Sequence, residues 1–176
     1  MMEAMHAIFT RRAVREFDAR SVPREDVDTI LEAGRRAPSS MNEQRWHFIV
    51  CTDRGHLVEL SKVGDYADHL AGAAFAIALV QPEVAEAWER ESIAFDMGQA
   101  AENMMVAAWA LGIGSVHGSV YDEPLTRSLL GYPEGQRCDT ILSFGYPADP
   151  SVLELPPSGR RKPFAEIVHE ERWGLR

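Results

Sequence analysis

The chain has 176 residues, 45% hydrophobic and 26% charged, ordinary figures for one soluble globular domain with a sizeable core. Its formal net charge is −9, from 18 basic and 27 acidic side chains, which argues against nucleic acid as a partner. No apolar run approaches the roughly 20 residues that span a bilayer, so no membrane partner is expected.

Met1 to His6 carry an acid and no basic region, which predicts no secretory signal. The two cysteines, Cys51 and Cys138, make no disulfide framework, and a reduced, cytoplasmic chain is expected. A short helix is predicted over Ala4–Thr10, followed by an extended stretch through Phe17. Pro23 opens a second helix with Val27, Ile30, Leu31 and Gly34 on one stripe, acids in its first turn, and Arg35 and Arg36 in its last. Trp46–Thr52 reads as a strand, and Asp53 caps a short helix to about Ser61. Ala74–Val80 is a continuous apolar run, the mark of a buried strand.

Glu83–Leu111 reads as one long helix with a break near Ser92. Ile93, Met97, Ala100, Met104, Ala108 and Leu111 form one stripe, and Ala94, Ala101 and Ala107 a second. Such a helix is apolar on most sides and should be central. Gly112-Ile113-Gly114 ends it, Ser115–Tyr121 is a short strand or loop, Asp122 caps a helix to Leu130, and Thr140–Gly145 is a last core strand. The expected organisation is one domain, a core over 1–146 and a tail over 147–176 that docks elsewhere. Strands separated by helices make the class α+β.

Two stretches carry chemistry. Arg11, Arg12 and Arg15 place three guanidinium groups in five residues of an acidic protein, so a specific anionic ligand is expected there. Ala37-Pro38-Ser39-Ser40-Met41-Asn42-Glu43-Gln44-Arg45-Trp46 ends a helix and offers hydroxyls and carboxamides on a turn. The arginine pair alone also reads as a solvated helix end, and Pro38-Ser39-Ser40 alone as a helix stop. Together they suit a ligand with a phosphate at one end and a flat heterocycle with alternating donors and acceptors at the other.

These stretches, with Leu111-Gly112-Ile113-Gly114-Ser115 and Arg161-x-Pro163-x-x-x-Ile167-Val168-His169, resemble the nitroreductase family of FMN-dependent oxidoreductases over nearly the whole chain. The resemblance implies a mixed sheet flanked by helices, a long central helix at a homodimer interface, and an exchanged C-terminal tail. It also implies FMN in clefts between subunits, reduced by NADH or NADPH and reoxidised by nitroaromatic or quinone-type acceptors in ping-pong order. Carried over, Arg11, Arg12, Ala13 and Arg15 would hold the phosphate and the ribityl/pyrimidine side, with Arg160 and Arg161 closing from the tail. Pro38, Ser39, Ser40, Asn42 and Gln44 would meet the ring from the other subunit. Gly118 and Ser119 would present a backbone N–H to flavin N5.

The family usually has proline at the position of Arg45, and proline or an aromatic at that of His117. Both residues are candidate substrate neighbours, although His117 reads equally as an ordinary surface histidine. No side chain is expected to act as catalytic acid, base or nucleophile, and no metal site is expected. There is no Cys-x-x-Cys and no nucleophile elbow, and Gly112-x-Gly114 follows a helix instead of a strand. Dehalogenation, dehydrogenation or flavin fragmentation on the same scaffold, or a non-catalytic FMN carrier or regulator, are the alternatives.

Overall fold

The structure, a computed structural model, describes residues 3–154, 156 and 161–175. Four strands, β1 (His47–Cys51), β2 (Phe75–Pro82), β3 (Gly114–Ser119) and β4 (Gln136–Gly145), pair antiparallel in the spatial order β1-β2-β4-β3. Its parallel component among the described residues is one bridge from Ala13 to Ser115 on the outer edge of β3. The helices are α1 (Ala4–Thr10), α2 (Arg24–Arg35), α3 (Arg54–Leu60), α4 (Ala87–Ala110), α5 (Glu123–Leu130) and α6 (Phe164–Ile167).

The apolar run of β2 is explained by burial on both faces. Phe75, Ile77 and Leu79 join the core formed with α2 and α4, while Ala76, Ala78 and Val80 face Leu57, Leu60 and Leu70 on the opposite side. The predicted stripe of the long helix is buried from Ile93 through Ala108, with Leu111 half-buried at its end. Gly34 of α2 lets that helix approach closely, because a Cβ there would lie 2.1 Å from Met104 Cε.

Several boundaries differ from the expectation. The long helix starts at Ala87 instead of Glu83 and is unbroken at Ser92. Its first residues are held back because Glu83 N–H donates to Gly135 O at 2.9 Å, prolonging the sheet. For the same reason β4 starts at Gln136 instead of Thr140, its polar end pairing with Gln81 and Pro82 beyond a bulge at Leu79/Val80. The second stripe is not core. Ala94 is exposed and Ala101 and Ala107 half-buried, and Trp88 and Phe95 on the same helix are 68% and 71% exposed. Among the described residues no helix is long and apolar enough to cross a membrane.

The arginine segment is fixed from both ends. Trp109, fully buried on α4, donates from Nε1 to Thr10 Oγ1 at 2.9 Å, and that hydroxyl donates to His6 O at 2.7 Å. The chain then runs extended, with Val14 N–H donating to Ser115 O at 3.0 Å. Gly114 is where the two segments touch: a Cβ would sit 2.7 Å from Val14 Cβ. Gly114→Ala is expected to cost about 1–3 kcal/mol through overpacking, read as a lower midpoint in urea unfolding.

Candidate active site

Two concave regions collect most of the residues singled out by sequence. The first has a volume of about 380 Å³ and is lined by Arg11, Arg12, Ala13, Glu102, His117 and Arg161, over Met105 and Val116. Its guanidinium groups come from the extended segment after α1 and from the stretch before α6. Arg11 Nε donates to Glu102 Oε1 at 2.9 Å. Arg12 donates from Nε to Thr10 O at 3.2 Å and from Nη2 to Pro156 O at 2.8 Å, tying α1 to the tail. Arg15 is exposed and lines a neighbouring cleft of about 260 Å³, which shares Arg12 and Ala13. Arg160 lies outside the described residues.

The second region, also about 380 Å³, lies between Pro38, Ser39 and Ser40 and the face of α4 bearing Ser92, Phe95, Asp96 and Gln99. Its turn is unusual in its backbone. Met41, Asn42 and Gln44 have φ of 52°, 58° and 51°, the left-handed region that side chains with a Cβ disfavour. Gln44 N–H donates to Ser39 Oγ at 3.0 Å, and its carboxamide donates to Asn42 O at 3.1 Å, so Gln44 folds back on the turn. Asn42 remains exposed. Arg45 is half-buried, with Nη1 on Glu89 Oε1 at 2.9 Å and Nε 2.9 Å from Glu43 Oε2. Two carboxylates thus balance its charge.

Ladder alternation separates Gly118 from Ser119. Ser115 O accepts from Val14 on the outer edge, and Val120 N–H donates to Asp139 O on the inner one. Alternation between them turns the N–H of Gly118 toward Ile141 and those of His117 and Ser119 outward. The His117 side chain is exposed and lines the arginine cavity.

Two buried polar residues were given no role by the sequence. Asp96 is 4% exposed at the boundary between the core face of α4 and the groove, where it accepts from Ser40 N–H at 3.0 and 3.2 Å. His69, buried behind β3, places Nδ1 2.8 Å from Ser143 Oγ. Its Nε2 would lie 3.2 Å from a Cβ at Gly118, a tight contact that a larger residue could make only if the ring gave way slightly.

The charge pattern matches a phosphate, since guanidinium forks bind phosphate oxygens bidentately and do not titrate. Both volumes fall in the range of about 300–1,000 Å³ typical of small-molecule clefts. A model of the Nitroreductase family matches residues 8–67 and 58–146. This chain belongs to the nitroreductase family. An Archaeoglobus fulgidus protein named as a candidate NADH dehydrogenase/NAD(P)H nitroreductase is 35% identical over 177 residues, covering 98% of this chain and 100% of its own. The NADPH-flavin oxidoreductase of Vibrio harveyi is 27% identical, over 98% of this chain and 75% of its own. The solved FMN-dependent nitroreductase of Clostridium difficile shares the fold with a TM-score of 0.83 at 24% identity, over 96% of this chain and 99% of its own. As a nitroreductase-family oxidoreductase, the protein has a donor set that fits a flavin carrying one terminal phosphate.

Burial holds the His69 imidazole below its ordinary pKa of 6.5, reinforced by the charges of Arg15 and His117 and opposed by Asp68. The fold therefore prefers neutral His69. As pH falls below about 6.5 the unfolded chain takes up the proton first, and this contribution to stability is lost. His69→Asn should show a shallower loss of stability than the parent between about pH 7.5 and 5.5 in urea unfolding.

Proposed function

We propose that this protein is an FMN-dependent oxidoreductase that passes electrons from NADH or NADPH to nitroaromatic or quinone-type acceptors. The observation that carries the proposal is the meeting of Arg11, Arg12 and Arg161 in one cavity, from opposite ends of a nitroreductase-family chain. Arg11, Arg12 and Arg161 would hold the phosphate, Ala13 would line its approach, and Arg15 would serve the ribityl side from the adjoining cleft. Pro38, Ser39, Ser40, Asn42 and Gln44 form the ring-facing turn, and Ser119 offers its N–H from the open edge of β3. The bound flavin supplies hydride acceptance and release at N5, used in turn by the nicotinamide and the acceptor. The chain's own part is to bind, orient and set the charge around the ring.

A homodimer is part of the proposal. The arginine cavity and the Pro38–Ser40 groove are separate regions of one chain, and a second copy would bring one over the other. The uncovered apolar side chains support it: Trp88 and Phe95 on α4, and Phe164 and Trp173 in the tail, the last two 77% and 90% exposed. Large aromatic side chains left in water are what a second copy would cover. The expected tail over 147–176 begins on its own chain, where Pro147 bridges Phe17, Ala148 N–H donates to Glu16 O and Val152 and Leu153 pack beside Trp109, so the stretch bearing Phe164 and Trp173 is the part proposed to dock on the partner.

Purified protein should be yellow and release FMN, not FAD, on denaturation, as chromatography of the released chromophore will show. Colourless protein that cannot be reconstituted with FMN overturns the proposal. Arg161→Ala should weaken FMN binding by about ten- to a hundredfold, the worth of one charge-assisted contact, in titrations of apo protein. Initial rates at varied NAD(P)H and acceptor should give parallel double-reciprocal lines.

A further inference from the structure

Asp96 stands out among the polar side chains of the central helix because nothing about the helix requires it. It lies where the buried core face of Ile93, Met97 and Ala100 meets the groove lined by Ser92, Phe95 and Gln99, and it is 4% exposed, so its carboxylate is held where an apolar side chain would avoid the cost of desolvation. The carboxylate instead reaches out of the core to one backbone amide, with both oxygens 3.0 and 3.2 Å from Ser40 N.

That amide begins the short 3₁₀ turn Ser40–Asn42, whose Met41 lies in the left-handed region together with Asn42 and Gln44. Three side chains in that region do not hold such a backbone by themselves; a surrounding structure has to over-determine it. Asp96 is one such restraint. Gln99, one turn further along α4, is a second, donating from Nε2 to Pro38 O at 3.4 Å. Ser39 Oγ, accepting from Gln44 N–H, closes the turn from within. With these groups engaged, the exposed Ser40 side chain and the Asn42 carboxamide are displayed on the same turn.

We infer that Asp96 is a positioning residue: its carboxylate, anchored in the central helix, sets the backbone of residues 39–44 and thereby the ring side of the flavin site. The inference rests on the functional reading above, in which this turn faces the isoalloxazine. It concerns the ring and not the phosphate, which gives it a distinct signature. Riboflavin has the same ring and no phosphate, so a defect in the turn must appear with both ligands.

Apo protein is titrated with FMN and with riboflavin, and the visible spectrum and reduction potential of the saturated protein are recorded. Asp96→Ala should weaken both flavins to a similar extent, by about tenfold or more, and alter the bound spectrum and potential. Asp96→Asn keeps a carbonyl oxygen for Ser40 N–H and should stay within about threefold of the parent. Should Asp96→Ala not fold, Asp96→Glu carries the test, because it keeps the charge and displaces the oxygens by one methylene; an altered spectrum is expected. Parental flavin affinity, spectrum and potential in the substituted protein, even with lower thermal stability, overturn the inference and leave the functional reading standing. A parent protein that binds neither flavin overturns both.

Discussion

The packing of α4 on the sheet is the constraint from which the site follows. Ile93, Met97, Ala100, Met104 and Ala108 are committed to a core shared with Phe75, Ile77, Leu142 and Phe144, and each fully buried large side chain contributes about 1.5–3 kcal/mol. With that face committed, the helix cannot rotate. Its flanking polar residues are then fixed in direction and height, and nearly every anchor of the site comes from them. Glu89 holds Arg45, Asp96 holds Ser40, Gln99 holds Pro38 and Glu102 holds Arg11. Asp96 and Glu102 are six residues apart, about 9 Å along the axis, so one rigid rod locates both the turn and the arginine segment.

The same geometry shapes the electrostatics. Several arginines of this acidic protein sit in local pairs on the surface, such as Arg24 with Asp28 or Arg127 with Glu123. Glu32, between Arg35 and Arg36, has its carboxyl pulled down to about 2 by hydrogen bonds from both. Such exposed pairs contribute little to stability and leave little uncompensated charge. The arginine cavity differs in gathering Arg11, Arg12 and Arg161 from distant parts of the chain, with Glu102 among its described lining residues. Three guanidinium groups brought together in a concavity of a protein with net charge −9 favour an anion there.

β3 connects these elements to the opposite layer of the fold. Its outer edge carries Ser115, bonded to the arginine segment, and then the outward amides of His117 and Ser119. Its inner face rests on His69, whose ring would make a tight contact of 3.2 Å with a Cβ at Gly118. The strand is thus supported from behind while, among the described residues, no backbone group pairs with the outward amides of His117 and Ser119.

Much of this was legible in the residues themselves. Short-range patterns specify local structure: Pro23 and the stripe from Val27 to Gly34 define α2, Asp53 caps α3 through His56 N–H at 2.8 Å, and the run from Ala74 defines β2. The arginine cluster and the Pro38–Gln44 turn are marked by the chemistry of their own residues, and Arg161 by the resemblance to the family. What the chain could not show locally was decided by partners far away in sequence. The start of β4 depends on Gln81 and Pro82, the bond from Ser40 to Asp96 spans 56 positions, and that from Arg11 to Glu102 spans 91. Polar residues such as Gln136 or Asp96 carry no periodic signal, because their burial is compensated by a partner and not by apolarity. Sequence alone therefore determined the order and type of most elements and the residues from which a site is proposed. Tertiary structure decided which arginines share a cavity, which amide of β3 faces outward, and which buried carboxylate holds the turn, because those depend on register and packing between distant segments.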